Sequence, residues 1–310
     1  MKVVVLSGGG GGARFLRGVA DAVDPAAVTA IVNVGDDLEV LGLSVSPDLD
    51  GVLYALSGLG DEERGWGRAD ETWNALASAD AFGGASWFGL GDRDIGLHLV
   101  RTEALRAGEP LSLITARLAT AVGVETTILP ATDDRLRTWV ETPNGSFSFQ
   151  QWFVARAHRD PVDRLRFEGS ADARPAPGVL DALHEADAIL IPPSNPYLSI
   201  GPILAVERIR RAIERRRVPC VAVSPLIGGR AVKGPADQLL ARLQGGTTPV
   251  HVSQCYEGLI DALVFDAVDA EHADAVAAAG VRPVIAHTLM ADAEARRRLA
   301  EAVLDAMAVA

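Results

Sequence analysis

The sequence predicts an α/β fold: a mostly parallel sheet with helices on both faces, plus an inserted helical segment and a β-hairpin. Three observations carry that prediction. The chain opens as strand, glycine run, helix and strand. A second alternation of short apolar runs with helical segments begins after residue 178. Between the two, Pro143-Asn144-Gly145 separates β-prone segments, and Asn-Gly tolerates the positive φ that a tight hairpin needs.

Taken in order, residues 3–6 read as a buried strand, 13–23 as a helix and 29–34 as the next strand. The apolar period changes from 2 to 3.6 and back, as a β-loop-α-β opening requires. A helical, loop-rich insertion follows at about residues 48–110, and residues 111–122 form an apolar helix. The hairpin occupies 136–142 and 146–150. After a Pro- and Ala-rich loop, helices are predicted at 179–186, 203–216, 239–243 and 291–308. Strands are predicted at 188–191, 219–223, 263–265 and 283–286. The whole chain, 1–310, reads as a single α/β domain whose site lies in loops at the carboxyl ends of the strands.

Composition narrows the function. Hydrophobic residues at 48 % and charged residues at 23 % give an ordinary globular balance. A net charge of −12 opposes a protein that coats nucleic acid, because phosphate backbones need a basic face. A phosphorylated small ligand remains compatible if a metal ion bridges carboxylates and phosphate. Cys220 and Cys255 fit no metal or redox spacing and read as small buried residues. The first apolar run is four residues long, short of a signal peptide, and no run reaches the roughly 18 residues of a membrane span. The expectation is a soluble, cytoplasmic protein with no membrane partner.

Five segments carry chemistry. Ser7 is followed by Gly8, Gly9, Gly10, Gly11 and Gly12, then Ala13 and Arg14. Between a strand and a helix, such glycines bring backbone N–H groups up to an anion, and Arg14 adds a fixed charge. Asp36 and Asp37 end the segment Asn33-Val34-Gly35-Asp36-Asp37, and Asp48 and Asp50 lie in Ser46-Pro47-Asp48-Leu49-Asp50. Hard carboxylates of this kind hold Mg²⁺ against a diphosphate or orient a hydroxyl nucleophile. Trp87-Phe88-Gly89-Leu90-Gly91-Asp92-Arg93-Asp94 sets aromatics beside charges and suits a flat heterocycle, with His98 and Arg101 on the helix that follows. Pro192-Pro193-Ser194-Asn195-Pro196 places Ser194 and Asn195 as neutral donors after a buried strand. In the fifth segment, Gly228, Gly229 and Lys233 lie in a loop carrying one of only two lysines in the chain. The arginines from 208 to 217 read as a solvated helix face.

At these segments the chain resembles the 2-phospho-L-lactate transferase family, which includes the bacterial phosphoenolpyruvate transferases of coenzyme F420 biosynthesis. The carrying motifs are SGGGGGARF, NVGDD, SPDLD, GWG, WFGLGDRD, FQQWFV, PPSNPYLSIGPIL and SPLIGGRAVKGPA, in family order. The resemblance implies a Rossmann-like core, often a homodimer, and a requirement for Mg²⁺. It implies a guanosine diphosphate donor linked to 2-phospholactate or phosphoenolpyruvate. The acceptor it implies is the deazaflavin Fo, 7,8-didemethyl-8-hydroxy-5-deazariboflavin, and GMP is released. By the same resemblance Asp50 and Arg93 contact Fo, with Trp87 and Asp92 beside them. Asp36, Asp37 and Asp50 are the catalytic candidates, and Asp36, Asp48 and Asp50 the metal candidates. Gly8 to Gly12 and Arg14 would hold phosphates, and Ser194, Asn195, Gly228, Gly229 and Lys233 the guanosine end. Relatives commonly carry Thr where Gly10 stands, Lys where Arg14 stands, and Ala-Thr where Gly96-Leu97 stand. The Arg-for-Lys bias and Ala-rich composition look like a high-GC bacterial chain, and resemblance to bacterial relatives of that kind implies the enolpyruvyl donor over the lactyl one. Two other readings compete. A non-catalytic nucleotide-sugar binder would need no aromatic Fo segment. A dinucleotide dehydrogenase would use Asp36 on a ribose but fits the glycine spacing poorly.

Overall fold

The structure is a computed structural model, which describes residues 1–307. Strand β1 (Val3–Ser7) is buried along its whole length, as a strand covered on both faces must be. Helix α1 (Gly9–Ala22) begins four residues before the predicted start, inside the glycine run. β2 (Val28–Val32) pairs parallel with β1. β3 (Leu38–Val40) and β4 (Leu43–Val45) form a small antiparallel ribbon turning at Leu41-Gly42, both at positive φ.

The insertion then runs through α2 (Pro47–Ser57), α3 (Asn74–Ala81) and α4 (Asp92–Arg106), and α5 (Leu111–Ala121) follows. α2 starts on a proline and stops at Gly58 in the left-handed region, a common pair of helix limits. β5 (Thr127–Pro130) returns to the main sheet beside β2. The predicted hairpin is β6 (Arg137–Thr142) with β7 (Gly145–Ser148), and β8 (Arg164–Glu168) pairs with the other edge of β6.

The second alternation is α6 (Val179–Glu185), β9 (Ala188–Ile191), α7 (Gly201–Leu204), α8 (Glu207–Glu214) and β10 (Cys220–Val223). The predicted helix 203–216 is therefore two helices, because buried Val206 takes an extended conformation between them. β11 (Leu226–Ile227) and β12 (Arg230–Ala231) make a minimal hairpin around Gly228-Gly229, whose φ values of 59° and 72° suit only a turn of this kind. The chain ends with α9 (Ala236–Leu239), α10 (Pro249–Cys255), β13 (Ala262–Asp266), α11 (Ala273–Ala278), β14 (Arg282–Ala286) and α12 (Ala293–Met307).

Seven strands form one sheet in the order β14-β13-β10-β9-β1-β2-β5, parallel throughout. From β1 the chain first winds outward through β2 and β5, then crosses to β9 on the opposite side. The order reverses between β1 and β9, and the crevice outside their carboxyl ends is where ligands bind in open sheets of this type. α1 packs closely on α12: a Cβ at Gly18 would lie 2.5 Å from the Arg296 carbonyl oxygen. Among the described residues no helix is long and apolar enough to cross a membrane.

Candidate functional site

The glycine loop after β1 and the Pro192–Ser199 segment after β9 meet in that crevice. A Cβ at Gly8 would lie 2.8 Å from the Ser199 carbonyl oxygen, and one at Gly11 2.6 Å from the Pro193 carbonyl oxygen. One at Gly12 would lie 2.8 Å from Ser194 Oγ. Real Cβ atoms do not approach carbonyl oxygens so closely, so Gly8 and Gly11 demand glycine, and a side chain at Gly12 would displace the Ser194 hydroxyl. The buried Ser194 hydroxyl donates to the Gly8 carbonyl at 2.7 Å and ties the two loops together. Gly9 carries a φ of 68°, a second reason for glycine at the loop's turn.

Asn195 accepts from the Tyr197 and Leu198 N–H groups through Oδ1 and so opens the π-helical turn Pro196–Ile200. Its Nδ2 is buried with no partner. A buried amide donor left unpaired costs free energy, and a bound acceptor would recover it.

The carboxylates divide by what holds them. Asp48 accepts from the Gly9 N–H and from Asn33 Nδ2, each at 2.8 Å. Its carboxylate thus clamps the start of α2 to the glycine loop, which explains why α1 can begin inside five glycines. Asn33 Oδ1 in turn accepts from the Gly35 N–H at 2.7 Å. Gly35 is required because a Cβ there would lie 2.6 Å from Thr138 Oγ1. Asp36 is buried and its Oδ1 has no partner. Asp37 accepts from Ser46 Oγ at 3.0 Å through Oδ2, while its Oδ1 is shut from solvent without a partner.

Burial first, then the neighbouring Asp48 charge, pushes the Asp36 carboxyl well above its usual range. Burial likewise raises Asp48. Asp37 is raised to about 7, chiefly by burial, against the opposing charges of Arg137 and Arg101. The orphaned buried oxygen of Asp36 fits a divalent cation, which would satisfy it and restore ionisation. Among the described residues no group of three His, Cys, Asp or Glu side chains forms a closed metal site. A Mg²⁺ shared between one or two carboxylates and substrate phosphates needs none.

These shifts have a consequence for stability. A carboxyl whose folded pKa exceeds its unfolded value binds more protons in the folded state across the interval between the two. Its stabilisation is complete below the unfolded pKa, about 3.9, and is lost as pH rises through the folded pKa. Buried His98 works oppositely: burial lowers it to about 4, so its effect is spent above about 6.5. Between pH 6.5 and 8, metal-free protein should therefore lose thermal stability, and Asp37→Asn should flatten that fall. Scanning calorimetry in chelator checks this; an unchanged slope in the variant would contradict it.

Asp50 lies deeper. Its side chain is 7 % exposed and forms a two-point ion pair with Arg101, which is 2 % exposed. Arg101 Nη1 reaches Asp50 Oδ2 at 3.0 Å and His98 Nδ1 at 3.3 Å. A guanidinium only donates, so His98 Nδ1 accepts and its proton sits on Nε2. Below this pair, Tyr54 donates to Asp94 at 2.5 Å, and burial raises Asp94 to about 6. Glu71 caps α4 by accepting from the Arg93 and Asp94 N–H groups, each at 2.8 Å. Gly91 is needed there because the Glu71 carboxylate occupies the space of a Cβ.

Asp92 is committed to structure: Thr72, Asn74 and Ala75 all donate to it, and these bonds, Thr72 first, lower it to about 2. Arg93 is exposed, with Asp70 at 3.9 Å. Trp87 is partly exposed and packs edge-on to Phe88. Nearby, Trp66 and Trp73 stand edge to face with the Arg64 guanidinium over both rings. Lys233 reaches across to Gly65, whose carbonyl oxygen lies 3.8 Å from where a Gly10 Cβ would be. The Trp66 loop therefore bridges the glycine run and the Gly228–Lys233 loop. Gly228 donates to buried Asp269 at 2.9 Å. Arg14 turns toward the loop after β14 and donates to the Met290 carbonyl at 2.7 Å, with its Nε unpartnered.

Arg137 carries no motif signal, yet it faces Asp36 and Asp37 from β6. Only its place in an alternating strand beside the NVGDD loop reveals it. Asp269 likewise gains its place from tertiary contact alone.

A glycine cradle beside buried carboxylates, at the switch point of a parallel sheet, defines a candidate phosphate-handling enzyme. The chain matches the model of the family described as 2-phospho-L-lactate transferase CofD over residues 3–307. It belongs to that family. The phosphoenolpyruvate transferase of Streptomyces coelicolor is 44 % identical over 310 residues, covering 98 % of this chain and 97 % of the relative. That of Mycolicibacterium smegmatis is 38 % identical, covering 98 % of each. A crystal structure of a Bacillus halodurans protein superposes with a TM-score of 0.66 at 21 % identity, covering 98 % of this chain and 99 % of that one. That likeness speaks for the fold.

Proposed function

We propose that this transferase works in coenzyme F420 biosynthesis, in the cytoplasm, moving a phosphoenolpyruvyl group from a guanosine diphosphate donor to the deazaflavin Fo. The ribityl hydroxyl of Fo attacks the phosphorus that bears the three-carbon acid. The bond from that phosphorus to the bridging oxygen breaks, GMP leaves with the electron pair, and dehydro-F420-0 forms. The observation that carries the reading is the closed cradle of Gly8, Gly11 and Gly12 against Pro193, Ser194 and Ser199, with unpartnered buried oxygens of Asp36 and Asp37 beside it. Phosphoryl transfer asks mainly for positioning and charge neutralisation; the cradle supports the first, and the carboxylates would supply the second through a bound Mg²⁺.

Asp37, poised near neutrality, takes the hydroxyl proton. Mg²⁺, when bound, neutralises diphosphate charge; Asp36 offers it an orphaned oxygen, with Asp48 and Asp50 as neighbouring carboxylates. Asn195 Nδ2 and Lys233 serve the guanosine phosphate end. Arg93 and the exposed Trp66–Trp73–Trp87 surface receive the flat ring of Fo. The enolpyruvyl donor is favoured over the lactyl donor because the relatives at 44 % identity are named phosphoenolpyruvate transferases.

The test is a mass-spectrometric assay with Fo, Mg²⁺ and each guanosine donor in turn. Product from the enolpyruvyl donor, with GMP released, is expected. Product from the lactyl donor alone would reassign the donor. No product from either, together with no binding of Fo, would overturn the reading.

A further inference from the structure

The arginine-rich stretch after β9 also lines a groove. Side chains of α6, α8 and the turn after α8 enclose an open groove of about 480 Å³. This size lies within the range of small-molecule sites, roughly 300–1,000 Å³. Its floor is apolar, with Leu183, Ala212 and Val218 among the lining residues. Its walls carry Arg208, Arg211, Arg215, Arg216, Arg217 and His184, and no carboxylate is among the lining residues.

Two of these arginines are already neutralised: Arg211 pairs with Glu207, and Arg216 with Asp261 at 2.8 Å. Arg208, Arg215 and Arg217 have no ion pair or side-chain hydrogen bond among the described residues. Arg216 is nine-tenths buried, and its Nε is enclosed without a partner. In a chain of net charge −12, like charges gathered around one cavity repel one another. A bound anion would relieve that repulsion. Forked guanidiniums over an apolar floor suit a phosphate group carried on an organic body.

The groove is not the crevice described above. Ala186 precedes β9 and Val218 precedes β10, so it opens at the amino ends of those strands. A four-residue strand, roughly 13 Å, separates it from the loop that holds Ser194 and Asn195.

We propose that this groove binds a small phosphorylated anion at a second site, distinct from the catalytic crevice and independent of the function proposed above. The probe is inorganic diphosphate, with hydrogen–deuterium exchange to locate it and calorimetry to measure it. Exchange should slow over residues 179–186 and 207–218, and the triple variant R208A/R215A/R217A should lose that protection. The calorimetric affinity of the groove site should fall at least tenfold. Because the three side chains are exposed, circular dichroism of the variant should match the parent. Diphosphate that protects only residues 8–14 and 192–199, or that protects 207–218 equally in the variant, would overturn the proposal. So would an absence of protection in both segments.

Discussion

Arg101→Met should destabilise the protein by about 3–5 kcal/mol and reduce transfer to background. The stability loss follows from burial: Arg101 is 2 % exposed, and its removal leaves the Asp50 carboxylate in a low-dielectric pocket without its partner. It also withdraws one of the two positive charges that hold down the pKa of Asp37. The double variant Asp50→Asn/Arg101→Met separates the two effects. With both charges gone the pocket holds neutral groups, so stability should recover by more than half, since neutral replacement of a buried pair is often tolerated. Activity should stay lost, because Asp50 is a neighbouring carboxylate of the proposed Mg²⁺ and the double variant lacks its charge. Asp50→Ala alone should likewise abolish transfer while GDP binding stays nearly intact. Chemical unfolding, GDP calorimetry and the transfer assay together check the set. Recovery of activity in the double variant would reduce the pair to a structural tie between α2 and α4.

Much of this frame was legible in the sequence, because local signals and the fold agree. Strand β1, the Asn144-Gly145 turn and α5 are set by apolar period and turn chemistry, and they lie where those predict. What stayed hidden depends on partners distant in the chain. Glycine's weak helix propensity argues for a helix starting at Ala13, yet α1 starts at Gly9 because Asp48, 39 residues on, accepts from its N–H. The three-residue spacing of His98 and Arg101 puts them on one helix face, but nothing in that spacing points to Asp50, 51 residues away. β8 alternates arginine with Leu165 and Phe167, a period-2 pattern masked by its charge. For the site the same division holds. Residue types named the glycine run and the acidic cluster, whereas tertiary contact alone assigned Asp48 to clamping and left Asp36 and Asp37 with free oxygens.

The cradle itself predicts a reversal of sign within one run of glycines. In a helix interior Gly→Ala ordinarily stabilises by roughly 0.5–1 kcal/mol. Gly10→Ala should follow that rule, because its new methyl would meet only the Gly65 carbonyl oxygen at 3.8 Å, an ordinary contact. Gly11→Ala, one residue on in the same helix, should do the opposite and cost about 1–3 kcal/mol. Its methyl would lie 2.6 Å from the Pro193 carbonyl oxygen, and a proline backbone held by the Ser194–Gly8 hydrogen bond has little room to retreat. To relieve the clash the two loops must part, which opens the crevice where the diphosphate is proposed to lie. GDP affinity should accordingly fall at least tenfold in Gly11→Ala and stay within a few-fold of the parent in Gly10→Ala. Urea midpoints and GDP calorimetry on the pair decide it. If both variants gain stability and bind GDP alike, close approach of the β1 and β9 loops does not form the phosphate site. If only Gly11→Ala is weakened, the glycine run is needed for contact across the switch point and not merely for flexibility.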